Sequence, residues 1–512
     1  MKNIRNLPFV SWAFVCVLLV AALVILPLST RGFFVSDDGD WMIIRLSAFF
    51  QSLREGQFPV RFLGRLNYGY GYPVANFLYP GFLYIGSIIH LFGFSFVDST
   101  KIILAGSVVG ASVCIFLWLR RHFHIWASFL GAAGFILSPY LFFDIYTRGS
   151  VGEVVAFFAA ALTLLVFDSQ MLAFLPFAVG FLLTSHNSLA LLFLLLICFY
   201  GVFTGKGKMW PYILLGIGMA SFFWLPALFD KRFVVFDMQT IANPSIYLIG
   251  INNSTLLNIV PAIAGCLYWQ KRKIIRGRET QFFVGVFLVG VFMAIPLSLP
   301  LWNTSLLVTL FQFPYRFLAL GLIAGPWLIA QAYETIVRKE RRNWIVLWMI
   351  LWAVPLGIGY RNIRWIIQPE GYYTTNEATT TVADEYMPKW VITKPQMRSP
   401  ARVEFFQGRG AITVNTFSSH KIMAVIDAKE KSVIQINTIY YPGWGIEVDG
   451  QPVLVDYHNG MGVMRVEVPQ GMHKISVEFR ETVFRFIADS ISLISVIVGF
   501  CLFFVRRNRL AG

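Results

Sequence analysis

The chain has 512 residues, 57% of them hydrophobic and only 13% charged, with a mean hydropathy of +0.64. Soluble domains carry about 25% charged residues and their helices keep a polar stripe, so stretches such as 9–28 and 282–299, which have none, exclude a soluble globular protein. The net charge of +15 does not indicate nucleic acid, because the basic residues sit in short loops between apolar runs and form no basic groove with interleaved aromatics.

Runs long enough to cross a hydrocarbon core predict about 12 spans, at 9–28, 101–119, 126–143, 152–168, 171–184, 188–204, 210–228, 254–270, 281–300, 314–334, 343–360 and 485–505. The first run is too long for a signal-peptide core and no small-x-small site follows it, so it is read as a retained helix. Basic clusters at Lys2/Arg5, Arg120/Arg121, Lys206/Lys208, Lys271 to Arg278, Arg338 to Arg342 and Arg506 to Arg509 mark cytoplasmic loops and place both termini in the cytoplasm. The expected division is a membrane domain over 1–360 with a long first outer loop (29–100), an extracytoplasmic β domain over 361–484, and a last helix with a basic tail over 485–512. All five cysteines lie in apolar runs without a CxxC spacing, which indicates neither zinc nor a disulfide framework.

In the first outer loop, Asp37, Asp38 and Asp40 follow the first span, with Ser36 as a candidate helix cap. The helix dipole favours acidic residues at a helix start, which is one explanation; the other is a catalytic or metal-binding carboxylate at the outer interface. Residues 73–93 are apolar and open on Asn67-Tyr-Gly-Tyr-Gly-Tyr-Pro73, which suits an interfacial loop. A helix lying at or dipping into the outer interface keeps Arg120/Arg121 cytoplasmic; a true span is the competing reading.

Between two spans, Asp144, Arg148 and Glu153 crowd one outer connection, either as an internal ion pair with a cap or as the lining of an outer cavity. His186-Asn187 reads as a tight turn. Arg316, in Phe311-Gln-Phe-Pro-Tyr-Arg316, stands at the outer end of a span against the positive-inside trend, and its planar fork suits a phosphate. Further on, Val433 to Ile439 and Gly462 to Val468 alternate polar and apolar residues, with turn signals at Asp449-Gly450 and Pro469-Gln-Gly471, and predict a small antiparallel sandwich. Trp390, Tyr441 and Trp444 are either part of its core or a platform for sugar rings.

These segments resemble known families. Asp38-Gly-Asp40 with Arg45, Leu53-Arg-Glu-Gly-Gln-Phe-Pro59, Asn67 to Pro73, Tyr146-Thr-Arg-Gly-Ser-Val-Gly-Glu153 and Gln312-Phe-Pro-Tyr-Arg-Phe317 look like the bacterial 6-pyruvoyl-tetrahydropterin synthase-related membrane domain. Glu385-Tyr-Met-Pro-Lys-Trp390 and Tyr441 to Gly450 are similar to YfhO-like membrane proteins. Both groups resemble the C-type (GT-C) glycosyltransferase superfamily. The chain departs from the pattern at Asp37, where a histidine is expected, which leaves open which aspartate acts.

The resemblance implies a GT-C-like polytopic α-helical fold with a C-terminal extracytoplasmic β-sandwich-like domain, in the bacterial cytoplasmic membrane. It implies transfer of a sugar, with inversion, from a polyprenyl-phosphate donor in the bilayer to an unspecified glycan, lipid or protein acceptor. Asp38 or Asp40 is the candidate general base. Arg316, then Arg148, is the candidate for stabilising the leaving phosphate, and Glu153, Glu385 and Tyr386 are further substrate-binding candidates. No cofactor is required; the acidic residues leave room for a divalent cation. A transporter or a non-catalytic accessory protein of envelope polysaccharide assembly are the alternatives, and a transporter would need polar groups at mid-membrane, where few occur.

Overall fold

The computed structural model describes residues 12–238, 241, 243–250, 277–335 and 356–511. The predicted span at 254–270, most of that at 343–360, and the basic clusters at Lys2/Arg5, Lys271 to Arg276 and Arg338 to Arg342 lie outside the described residues. Six described helices are long and apolar enough to cross a membrane: Trp12–Ser29, Phe96–Leu119, Ile125–Arg148, Val151–Asp168, Pro314–Thr335 and Val483–Val505. Two bent pairs, Gly207–Met219 with Ser221–Phe233 (64°) and Arg278–Ala294 with Pro296–Trp302 (81°), raise the number to eight if each is one span. The chain is an integral membrane protein.

Two of the 12 predicted spans lie wholly or mostly outside the described residues, and several of the others are short or broken. The predicted spans at 171–184 and 188–204 are helices of 11 and 17 residues, Leu175–Ser185 and Asn187–Phe203, against the roughly 20 needed to cross. His186 separates them in extended conformation (φ −165°) and caps the second, its Nδ1 accepting the Leu189 N–H at 3.2 Å. Residues 73–93 form a 3₁₀ turn, Pro73–Asn76, and an 11-residue helix, Gly81–Leu91, which at 1.5 Å per residue is about 16 Å long and does not cross alone.

One end of the bundle carries the β strands of the described residues. Phe33–Phe34 (β1) pairs with Trp365–Ile366 (β2), so the start of the first loop meets the chain leaving the last described helices. Beyond them, Val403–Gln407 (β3), Gly410–Phe417 (β4), Lys421–Ala428 (β5), Ser432–Ile439 (β6), Trp444–Val448 (β7), Gln451–Val453 (β8), Val463–Val468 (β9) and Gly471–Phe479 (β10) form two antiparallel sheets, ordered β4-β5-β10-β7-β8 and β3-β6-β9. The predicted alternation is real: β5 buries Ile422, Ala424, Ile426 and Ala428 against Ile434, Ile436, Met464 and Val466 of the other sheet. Asp449 (φ 53°) and Gly450 (φ 78°) make the tight turn between β7 and β8. Tyr441 and Trp444 are core residues, 0% and 5% exposed, whereas half-buried Trp390 packs on Tyr440 and Tyr457.

Residues 365–390 are not part of the sandwich. They run back over the membrane domain as a strap: β2 on β1, the short helix Glu370–Thr375 against the helix Gly39–Arg54, then Met387 and Lys389 bonded to Val235 and Phe233. Two buried arginines fasten the same end. Arg61 reaches Glu481 (3.0 Å), Asp489 (2.7 Å) and the Phe222 carbonyl (2.6 Å). Arg485 pairs with Asp230 at 2.8 Å, and Asn76 donates to the same carboxylate oxygen at 2.9 Å. At the opposite end, Arg121, His122 and Lys206 converge on Asp168 at 3.0, 2.8 and 2.6 Å.

Candidate active site

The site residues gather on the end that bears the β domain, where two loops meet. Asp37 and Asp38 donate their backbone N–H groups to the carbonyls of Thr147 and Arg148, at 2.9 and 2.8 Å. The approach is backbone on backbone: Gly149 has φ +63°, and a Cβ there would lie 2.4 Å from Ser36 Oγ and 2.8 Å from Gly39 N. Gly149→Ala is therefore expected to lower the thermal midpoint in detergent, by the roughly 1–2 kcal/mol of a left-handed L-residue plus the clash. An unchanged midpoint would show that the loops separate freely.

With the loops clamped, Arg148 points back at the aspartates, Nη1 3.3 Å from Asp37 Oδ2 and Nη2 3.0 Å from Asp38 Oδ2. Its Nε has no hydrogen-bond partner, and the side chain is 10% exposed. Beside it, Arg316 donates from Nε and Nη2 to Glu153 Oε1, both at 2.9 Å, and from Nη1 to the Phe311 carbonyl (3.0 Å) and Gln312 Oε1 (2.8 Å). The two guanidiniums flank one ring, 5.0 and 4.8 Å from the centroid of Phe313. His186 Nε2 lies 3.7 Å from Glu153 Oε1. Asp144 is wholly buried with neither carboxylate oxygen hydrogen-bonded, and Tyr140 Oη is likewise without a partner. Tyr79 forms a common wall, its ring tilted against His186 with the centroids 4.7 Å apart.

Asp40 stands apart from this network. Asp38 stands at the N-cap position of the helix Gly39–Arg54 without a side-chain capping bond, and Asp40 lies in the first turn, so the two carboxylates point to different sides. Among the described residues Asp40 makes no ion pair; its partner is the Tyr373 hydroxyl on the strap, at 3.5 Å. Burial holds the Asp40 carboxyl above the ordinary carboxylate range, and the Tyr373 hydrogen bond opposes that rise. Arg45, one turn further on, is buried and donates to Thr380 Oγ1 at 3.0 Å and to the Thr380 carbonyl. Thr380 (φ 64°) and Gln312 (φ 60°) are non-glycine residues in the left-handed region, each held against an arginine of this end.

Of the residues singled out in the sequence, Asp38 joins Arg148, and Glu153 joins Arg316; Asp40 belongs to neither pair. Tyr386 lies against Phe77 (5.0 Å) and Phe236 (5.7 Å), with its N–H on Tyr72 Oη at 3.0 Å. Glu385 has a buried Oε2 with no partner. The sequence alone does not single out Tyr373, Thr380 or Tyr79; Tyr373 is 333 residues from Asp40, and only the Tyr372-Tyr373 pair in a polar stretch hints at it. No three His, Cys, Asp or Glu side chains converge as metal ligands among the described residues.

No protein-family model matches the chain, and no curated protein matches it. Three solved structures are similar to it in part. Arabinofuranosyltransferase AftD from Mycobacteria shares 16% identity over 69% of this chain and 27% of its own, with a TM-score of 0.44. ArnT from Cupriavidus metallidurans, solved bound to undecaprenyl phosphate, shares 12% identity over 71% of this chain and 68% of its own, with a TM-score of 0.45. The Archaeoglobus fulgidus oligosaccharyltransferase in its apo form shares 12% identity over 74% of this chain and 57% of its own, with a TM-score of 0.42. The chain thus spans about a quarter of the length of AftD and just over half that of the archaeal enzyme.

Proposed function

We propose that this chain is a GT-C-type glycosyltransferase that moves a sugar from a polyprenyl-phosphate donor to an acceptor on the β-domain side of the membrane, with Asp40 as general base. The observation that carries the reading is Asp40 itself: a half-buried carboxylate, free of any ion pair among the described residues, two residues along the chain from Asp38, which pairs with the buried Arg148. A carboxylate held above its ordinary range by burial is a better proton acceptor.

In this scheme the acceptor hydroxyl gives its proton to Asp40 and its oxygen bonds to the anomeric carbon. The bond from that carbon to the phosphate oxygen breaks, the electron pair leaves with polyprenyl phosphate, and single displacement inverts the centre. Arg148, with Nε unpartnered, is better placed than Arg316 to meet the leaving phosphate, because the Arg316 donors are already engaged by Glu153, Gln312 and a carbonyl. Asp38 then holds Arg148 in place. Glu385, with its unpartnered Oε2, and Tyr386 serve the acceptor. The donor's tail lies in lipid beside Gly81–Leu91, whose Ile88 and Leu91 are exposed. The β-domain side is extracytoplasmic and both termini are cytoplasmic, because Arg120/Arg121 and Lys206/Lys208 lie at the other end.

The reading is tested by giving the reconstituted protein a radiolabelled sugar on polyprenyl phosphate. A new glycoside is expected; movement of the intact carrier across the membrane, or no change in it, would replace the enzyme reading by a transporter or an accessory protein. The pH profile gives a second check. Transfer should fall on acidification with a midpoint above the ordinary carboxylate value, since only ionised Asp40 accepts a proton. Tyr373→Phe removes a hydrogen bond that favours the ionised form, so the acid limb should move to higher pH while the neutral-pH rate is largely kept. A limb that stays in place would remove Asp40 from the proton transfer.

A further inference from the structure

Asp40, Ile44, Ser47 and Gln51 follow one another at helical spacing along one side of Gly39–Arg54. From the first to the last the helix advances about 16 Å. Near Asp40 this side is closed by Tyr373; at the Gln51 end it opens into a separate cavity of about 320 Å³ that the strap and the β domain complete.

The cavity gathers positive charge. Arg65 donates to Ser47 Oγ (2.6 Å) and to the Tyr373 and Thr374 carbonyls (3.2 and 2.5 Å), and its Nε has no partner. Arg402 rests on the Gly69 carbonyl, with its guanidinium 4.4 Å from the centre of the Phe417 ring. Arg398, at the rim, pairs with Glu377. Three guanidiniums thus face two nearby carboxylates, Glu377 and Glu55, and among the described residues neither Arg65 nor Arg402 makes an ion pair. Burial holds Arg65 down to about 10 against the pull of Glu377 and Glu55, and burial together with the neighbouring Arg398 holds Arg402 below its ordinary value. A ligand that brings negative charge relieves this.

The rest of the lining is also informative. Phe417 is 45% exposed at the end of β4 and offers a flat apolar face, while Gln51 and Thr375 supply an amide and a hydroxyl. An aromatic face with neutral hydrogen-bonding groups beside planar cationic forks suits a sugar ring that bears an oxyanion.

We propose that this cavity is a binding site for an acidic saccharide, whose carboxylate or phosphate is held by Arg398 and Arg402 while a ring lies on Phe417. Its role as the distal acceptor subsite, along the helix from Asp40, rests on the glycosyltransferase reading; the binding itself does not.

The test uses the full-length protein in phosphatidylcholine nanodiscs, with no donor present. Trigalacturonate, glucose 6-phosphate and neutral maltotriose are titrated by thermophoresis. At least one acidic probe should bind about tenfold or more tightly than maltotriose, and which one does assigns the oxyanion. Arg398→Gln and Arg402→Gln should each cost about tenfold of that affinity, with maltotriose binding and the thermal midpoint unchanged. If Arg402→Gln misfolds, Arg398→Gln still decides, because its side chain is 56% exposed. Equal binding of acidic and neutral probes, or full acidic binding by Arg398→Gln, would overturn the site. So would loss of binding in phosphatidylglycerol discs, which would give the cavity to a lipid headgroup. Transfer is not measured, so a failed glycosyltransferase reading would leave these outcomes as they are.

Discussion

Asp40→Asn is expected to slow sugar transfer by about 10²–10⁴-fold, the usual contribution of a positioned general base, while the protein inserts and melts like the parent. Asparagine keeps the volume and an oxygen for the Tyr373 hydroxyl at 3.5 Å, but it cannot take a proton. No ion pair of the described residues is lost, so the change is confined to proton acceptance. Asp38→Asn is the informative partner. It weakens one of the two carboxylate contacts to Arg148 and leaves Asp37 at 3.3 Å, so transfer should fall less and the loop clamp should loosen. Transfer measured in membranes at matched protein level separates the cases. Parent-like rates in both variants would end the carboxylate mechanism, and a collapse in Asp38→Asn alone would move the base to Asp38.

The second large effect is on stability. Glu153 and Arg316 are 0% and 6% exposed at the side chain, and removing one partner of a buried pair strands the other charge at a cost of about 3–5 kcal/mol. Glu153→Gln and Arg316→Gln should each lower the denaturation midpoint accordingly. The double change Glu153→Leu with Arg316→Met should recover much of the loss, because an apolar pair leaves no charge unpaired. The recovery distinguishes a fastening pair from a substrate-binding one: a stable double variant that still transfers sugar would give Arg316 a purely architectural role, and one that has lost transfer would return it to the site. Single variants that melt like the parent would show that the pair holds nothing.

Much of this architecture is written in local sequence. Period-two alternation in 433–439 and 462–468 gives the sandwich, and Asp449-Gly450 gives its turn, because strand pattern and turn chemistry act over a few residues. Span counting from hydropathy measures apolarity and not continuity: the chain breaks or bends at His186, Ala220 and Ile295-Pro296, within or beside apolar runs. At the site, the sequence points to the right charges and misses their pairing. Arg316 stands out as an arginine at an unexpected depth, but only the fold reveals that Glu153, 163 residues away, already claims it. Tyr373 and Thr380 are invisible for the same reason: their meaning comes from a strap that closes over a helix more than 300 residues earlier in the chain.

That strap also sets where the protein can be cut. A deletion from 361 to 484 would remove more than a domain: with it go Tyr373 from Asp40, Thr380 from Arg45, and the backbone that fills Arg65. Loss of activity in such a truncation would report damage to the membrane half and say nothing of what the sandwich does. A replaceable module would instead run from Val403 to Phe479, with both ends already anchored by strap and final helix. Homologues that share the membrane half are therefore expected to vary that module while keeping a Tyr373-like segment over the helix that matches Gly39–Arg54. By the same measure, exchanging Val403–Phe479 should leave Tyr373 over Asp40 and take away the cavity wall at the Gln51 end, where Phe417 sits.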